Sequence, residues 1–589
     1  MRIVPRIVLV LCLAATAVSL GVEGLVSPAR AQSYGADQGY ESLPIETVDI
    51  VITNPTGEQA YNDKVIDGLR RYLAFYPGDR FNENRAIFAI ARARRSPQIA
   101  NITYEFALGR AGGLAVTFKI TLADGVRKEE GQGYLVTGNK TDLPVLYDKD
   151  GTYVRAKFEA MSLYYGNNDA WYGQPTAMLA GNPLVQGKPA GEGYTNWLEG
   201  FAHYGIYGIT PLSDSFYIYG GLSSISSGSV GQELFTDETR GYTFWEDAYA
   251  GFVTGNTDEK GNRLVFNFSA GRQRFTLANG FLIANTAANG QDRAALQANA
   301  RWASDLLVLG QVAYNSTRLE AFYLDPDELP VIDTNTALAG VNLEARPLPG
   351  LMTAASYVTG VRSDYSYFGP TGAIIGTREG LNVYDARFTY TPRPLSQPGP
   401  FFGAEAAIQT HRDFDMFATA GYGELGYSFV DTRWSPAISY RLGYFSGDDP
   451  ETETYERWDP LFSGGNGEQW VQGANHFKVV QDSNVIAHRI QARFRPLPQV
   501  ELVPQLWLFQ ADSLNNIGGN PALTFLDNKE FGYEANVTVK WFASRNWYVH
   551  GHLAYTVPGE GTQDGIEQAT GGGKPDDWFS AMLFVRYAL

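Results

Sequence analysis

The chain has 589 residues, 13% aromatic and 19% charged, with one cysteine and a net charge of −17 at neutral pH. That acidity excludes a nucleic-acid partner, since phosphate binding needs an excess of cations. The lone Cys12 excludes disulfides, thiolate metal sites and cysteine nucleophiles from any mature form that lacks the leader.

Residues 1–31 read as a signal peptide: Arg2 and Arg6, an apolar stretch over 7–20, and Ala29-Arg30-Ala31 before Gln32. Cleavage there removes three arginines and one glutamate and leaves the remainder more acidic still. Beyond residue 31 no apolar run approaches the roughly twenty residues of a spanning helix. Abundant Tyr, Phe and Gly instead suit strands that face lipid on one side and water on the other.

After a linker at 32–44, residues 45–124 form a small domain. Val48-Asp49-Ile50-Val51-Ile52-Thr53 alternates as a strand and closes at Asn54-Pro55-Thr56-Gly57. Val65, Ile66, Leu69 and Leu73 recur at helical spacing, and Tyr76-Pro77-Gly78-Asp79 stops that helix. A second helix over 82–95 carries Ile87, Ile90 and Ala91 on one face and Arg92, Arg94 and Arg95 on another, and ends at Ser96-Pro97. Two strands follow, Ile99–Leu108 and Leu114–Leu122. This β-α-α-β-β order, with Pro77-Gly78-Asp79-Arg80-Phe81, the 82–95 helix and Gly112-Gly113-Leu114-Ala115-Val116-Thr117-Phe118, resembles a POTRA domain. The resemblance implies a periplasmic position and a periplasmic protein partner bound along a sheet edge. A second linker is assigned to 125–150.

From 151 to 589 one unit repeats: an alternating apolar and polar stretch, a short turn, another such stretch, then a long polar loop. Turns fall at Pro211-Leu212-Ser213-Asp214, Asp258-Glu259-Lys260-Gly261-Asn262 and Arg495-Pro496-Leu497-Pro498. The pattern predicts a mainly β fold: a transmembrane antiparallel β-barrel of about eighteen strands, embedded in outer-membrane lipid. Strands are expected to begin near Thr152, Asn196, Phe216, Thr243, Arg263, Ala294, Leu306, Thr336, Leu351, Leu381, Phe401, Phe414, Pro436, Asn484, Val500, Lys529, Trp547 and Asp577. Both ends then lie on the periplasmic side.

Parity identifies the inner face, because a charge against lipid costs roughly 2–4 kcal/mol at the midplane. It turns inward Arg155, Lys157 and Glu159; Gln297, Asn299 and Arg301; Asp385 and Arg387; Ser439 and Arg441; Arg489, Gln491 and Arg493; Glu530, Glu534, Asn536 and Lys540; and Arg586. Arg272 and Arg274 break parity, which predicts a bulge or a loop. Any one of these residues serves equally well as a rung in a ladder of paired charges. As a set they read as a polar conduit, with Arg155, Lys157, Arg301, Arg387, Arg441, Arg489, Arg493, Lys540 and Arg586 as the attractive part of a substrate path.

Three stretches are similar to the alginate-export family of eighteen-stranded outer-membrane barrels: Phe244-Trp245-Glu246-Asp247-Ala248-Tyr249-Ala250-Gly251; Gly271-Arg272-Gln273-Arg274-Phe275 with Asn279-Gly280-Phe281-Leu282-Ile283; and Trp458-Asp459-Pro460-Leu461-Phe462-Ser463-Gly464-Gly465. The resemblance implies export of a polysaccharide or similar polar polymer by passive passage. Two features depart from it: the domain before the barrel, and the many carboxylates among the inward arginines. The alternatives are a POTRA-barrel protein secretion or assembly transporter, whose Arg-Gly-aromatic signature Arg240-Gly241-Tyr242 spells too early in the chain, and a general solute porin.

Catalytic signatures are not found. No serine lies in a Gly-x-Ser-x-Gly turn, and no phosphate-binding or dinucleotide loop is present. His550 and His552 share a strand face, but their strand carries no nearby carboxylate to complete a metal site. The expectation is no enzyme, no cofactor and no metal. The acidic stretch 451–467 reads as a solvated extracellular loop.

Overall fold

A sheet of half-apolar strands escapes exposed edges only by closing on itself. The computed structural model shows that closure. It describes residues 39–96, 98–123, 144–171, 193–231, 238–330, 333–392, 397–464, 472–520, 523–524, 526–570 and 573–589; the expected signal peptide lies outside them. No helix among these residues is long and apolar enough to cross a membrane.

The N-terminal unit contains β1 (Ile45–Ile52), α1 (Gln59–Leu73), α2 (Glu83–Ala93), β2 (Ile99–Leu108) and β3 (Leu114–Leu122). Its sheet order is β1-β3-β2, with β1 parallel to β3 and β2 antiparallel. Val65, Leu69 and Leu73 bury one stripe of α1, which ends where Ala74 takes a left-handed conformation. Asn82 caps α2 by accepting the Arg85 N–H at 2.8 Å. β4 (Val145–Lys149), inside the stretch expected as linker, pairs with the first wall strand.

That wall runs through β5 (Thr152–Asn168), β6 (Tyr194–Pro211), β7 (Phe216–Gly231), β8 (Arg240–Thr257), β9 (Arg263–Arg272), β10 (Leu306–Tyr314), β11 (Thr317–Asp325), β12 (Ala337–Leu348) and β13 (Leu351–Arg362). A small hairpin, β14 (Ser366–Phe368) and β15 (Ile374–Thr377), stands off it. The wall resumes with β16 (Leu381–Tyr390), β17 (Gly399–His411), β18 (Phe417–Ser428), β19 (Ala437–Phe445), β20 (Val485–Leu497), β21 (Val500–Gln510), β22 (Glu530–Trp541), β23 (Trp547–Pro558) and β24 (Trp578–Ala588). The eighteen strands close when β24 pairs with β5, from Phe579↔Asn168 to Ala588↔Glu159. Arg586 spans this seam on the inside, its Nε 2.7 Å from Glu159 Oε1. Tyr314, Tyr390, Tyr427, Trp434, Trp541 and Trp547 are exposed beside the short turns, as an aromatic girdle requires.

The count of eighteen holds, but one expected member is wrong. No strand begins at Ala294. That stretch is a loop, with Ala294, Ala295 and Asn299 at φ of 53°, 51° and 46°. Its alternation has another origin: Ala295, Ala298 and Ala300 pack into the interior, while Asn299 accepts from Asn285 and Asn289 of the same loop and Arg301 pairs with Asp327. The strand in its place is β11, which follows the two-residue turn Asn315-Ser316, a connection with no glycine or proline to mark it. As parity required, β9 ends at Arg272 and Arg274 lies in a loop.

The N-terminal unit sits in the short-turn mouth of the barrel. α2 is buried on two faces: Ala86, Ala89, Ile90 and Ala93 face its own sheet, whereas Ile87, Phe88 and Ala91 pack on Tyr153, Tyr207, Ile209, Tyr217 and Val253 of the wall. Burial of a large apolar side chain contributes roughly 1.5–3 kcal/mol, so Ile87 and Phe88 make this a real seat. Polar contacts ring it. Glu83 accepts from Arg155 at 2.8 Å and Arg545 at 2.9 Å, Arg71 donates to Gly261 O at 2.6 Å, and Arg95 pairs with Asp214 at 2.9 Å. Asp79 pairs with Arg346, and Arg495 donates to Gly109 O at 2.7 Å. Arg493 donates to Ala111 O beside Gly112, whose φ of 96° favours glycine and whose missing Cβ would lie 2.6 Å from the guanidinium.

Candidate functional site: a lumen crossed by two loops

Two connections at the long-loop end turn into the barrel. The first, 273–305, is tied to the wall by carboxylates that accept successive backbone N–H groups. Glu199 on β6 accepts from Gln297 N at 3.0 Å and Ala298 N at 3.2 Å. Glu246 on β8 accepts from Trp302 N at 2.8 Å and Ala303 N at 3.1 Å. The near half of the loop reaches β17, where Asn279 donates to Glu405 at 2.6 Å, so it spans the interior from one side toward the other.

The second connection, 446–484, is held the same way. Glu534 on β22 accepts from Asn475 N at 2.9 Å, His476 N at 3.0 Å and also Ala474 N. A short helix, α3 (Phe477–Val480), follows. Burial holds the His476 imidazole down at about 3, hence neutral, and its ring stacks on Phe509 at 3.9 Å. Burial raises Asp482 to about 7, although Ser463 and Arg441 oppose the shift. The expectation of a solvated acidic loop is corrected here: Glu451 and Glu453 are exposed, but Tyr455, Arg457, Trp458, Asp459 and Leu461 are buried.

The two loops meet. Ile283 and Phe462 form a parallel bridge, with Ala284 N donating to Phe462 O at 2.8 Å, and Phe281 packs on Tyr422, Phe445 and Trp458. Glu246, the 271–283 stretch and the 458–462 stretch, spread over more than two hundred residues of sequence, therefore converge in one interior.

Arginine on aromatic rings recurs through this interior. Arg272, Arg293 and Arg301 surround Asp327, with Arg293 at 2.8 Å and Arg301 at 2.9 Å, while Arg301 lies over Tyr242 and Phe244 at 5.3 and 5.5 Å. Arg378 grips Asp459 with two bonds of 2.7 and 2.8 Å and lies 4.1 Å over Tyr365. Arg441 and Arg489, opposite each other on β19 and β20, share the Trp507 indole at 5.5 and 5.7 Å.

The nine residues of the expected path all carry specific partners. Arg155 and Arg493 hold the N-terminal unit, as above. Lys157 lies 3.5 Å from Glu159, which also binds Arg586. Arg387 pairs with Asp385 at 2.6 Å and Ser356 at 2.8 Å. Arg489 pairs with Glu424 at 2.6 Å, and Lys540 lies 3.4 Å from Glu501. Arg301 differs from its expected place: it belongs to the 273–305 loop, not to a wall strand. Sequence reasoning missed Asp327, Arg293, Arg378, Trp507 and the anchoring roles of Glu199, Glu246 and Glu534. Parity on β6 places Glu199 on the inner face with Trp197, whereas on β8 a bulge opposite Ser223, which no local pattern marks, turns both Glu246 and Asp247 inward. His550 and His552 are buried against Phe584 and Thr538, and no metal-ligand cluster occurs among the described residues. Arg240 opens β8 and donates to Gln291 O of the first loop.

A family model described as Alginate export matches residues 245–570. Among solved structures, the chain is similar to OccK5 (OpdH) of Pseudomonas aeruginosa, at 10% identity over 74% of this chain and 98% of that one, with a TM-score of 0.44. OpdQ of the same organism is 10% identical over 74% and 97%, TM-score 0.42, and OprB of Pseudomonas putida 8% identical over 74% and 94%, TM-score 0.36. No match is found among curated proteins. Since the family model spans more than half of the sequence, and the barrel it describes closes here with eighteen strands, the chain belongs to the alginate export family of outer-membrane barrels.

Proposed function

We propose that this outer-membrane channel passes a polysaccharide or similar polar polymer, without catalysis. The short-turn mouth and its seated domain then face the periplasm, the side on which such barrels keep their short turns. One observation carries the reading: guanidinium groups stacked on aromatic rings recur along the interior where the family's stretches meet. Aromatic faces suit the C–H faces of sugar rings, and arginine suits carboxylates and hydroxyls. Because most of the cations already have carboxylate partners, passage would proceed by exchange among many weak contacts.

The Arg441, Arg489 and Trp507 group gives the test. In planar bilayers, an acidic oligosaccharide is expected to interrupt current through the wild type. The Arg441→Gln/Arg489→Gln variant should need a several-fold higher concentration. Equal blocking of both proteins, or equal blocking by unrelated small sugars, would favour a general solute porin. The secretion alternative rests on β2, which pairs on one side only; crosslinking from Asn101 or Thr103 that traps no polypeptide would end it.

A further inference from the structure

We infer that the N-terminal domain is an autoinhibitory stopper, and that α2 occupies the stretch of wall a substrate must meet first. The second part rests on the polymer reading above; the first does not. The seat is inside the mouth, not beside it, because Ile87, Phe88 and Ala91 pack on Tyr153, Tyr207 and Tyr217, whose side chains are buried on the inner face. Those tyrosines form the kind of aromatic surface along which sugar rings slide. While α2 covers them, polymer and helix compete for one site.

The contacts around the seat are suited to release. They are spread over several separate hairpins, and several end on a backbone carbonyl or on one exposed partner: Asp214 is fully exposed and Arg545 is 62% exposed. Exposed pairs of this kind are individually weak.

Two full-length variants test the idea. Phe88→Asp removes apolar contact with the wall, since Phe88 packs on Tyr219 and not in the domain's own core. Gly39→Cys/Tyr548→Cys ties the segment entering the domain to the wall: a Cβ at residue 39, where φ is 79° and the Arg586 guanidinium must shift from 3.1 Å, lies 3.6 Å from Tyr548 Cβ, a spacing a disulfide accepts. Neighbouring Tyr40 packs on Phe106 of the domain, so the tether holds it at the mouth, and the only native cysteine is Cys12. The Phe88→Asp protein is expected to conduct potassium chloride several-fold better than the wild type. Adding the cysteine pair should return it to the wild-type level when oxidised and release it again with reductant. Wild-type conductance in Phe88→Asp, when limited proteolysis shows the domain unseated, would overturn the stopper, as would a formed disulfide without effect. If unseating raises salt current and no acidic oligosaccharide blocks it, the stopper stands and the polymer reading falls.

Discussion

Asp327 holds three arginines with two carboxylate oxygens, and each of the four side chains is less than one-tenth exposed. Removing the anion would leave three cations buried without it, and breaking a buried pair in this way costs roughly 3–5 kcal/mol. Asp327→Ala is therefore expected to lower the urea midpoint of unfolding, read as loss of the heat-modifiable folded band on gels; Lys119→Ala, on the exposed face of the small sheet, should leave it in place. At this scale the wall residues were legible. A lysine at 157 or an arginine at 387, 441, 489 or 586 has one affordable orientation, and the strand period supplies it. Asp327 was not, because it lies in a connection with no period, and its partners come from positions 272, 293 and 301, which only the fold brings together.

Among the elements, the two inward loops differ most from what periodicity suggested. Residues 294–301 alternate as a strand does, yet Ser229 and Glu199 of the wall accept the N–H groups of Ala295, Gln297 and Ala298, and the loop's own Gln291, Ala295 and Asn289 accept those of Ala294, Asn299 and Arg301. Alternation reports two environments, and it does not say that one of them is a sheet. Glu534 shows what keeps such a loop in place: one carboxylate satisfies the N–H groups of 474, 475 and 476. Glu534→Gln replaces an acceptor by a group that is half donor, and each buried N–H left unpaired costs about 1–3 kcal/mol. The variant should show larger, noisier single-channel current than the wild type and faster protease cleavage within 472–484; unchanged current would deny Glu534 this anchoring role.

For the molecule as a whole, the seat of the N-terminal domain couples pH to closure. Burial pushes the Glu83 carboxyl up, but Arg155, Tyr104 and Arg545 outweigh it and hold the group below its ordinary 4.5. Arg155 and Arg545 belong to the barrel, so part of this lowering exists only in the seated state. A group whose bound-state pKa is depressed stabilises that state above its ordinary value and ceases to do so as pH falls through the depressed one. Acidifying the short-turn side from pH 7 to below 4 is thus expected to raise conductance in asymmetric bilayers. Glu83→Gln should already be partly open at pH 7 and should lack that step; a step of wild-type size in this variant would assign the transition to other groups.

Sequence alone determined the class of this protein. Lipid demands an apolar outer face and satisfied backbone groups, so period-two strands between short turns and long loops can only close into a barrel, and parity then orients each charged side chain. It also determined the order of elements in the small domain. What the tertiary structure decided is the content of the barrel: which connections fold inward, that the family's three stretches meet there, and that α2 is buried on both faces. Each of these depends on contacts between residues far apart in the chain, from Glu246 with Trp302 to Ile283 with Phe462, where no local period or propensity carries a signal.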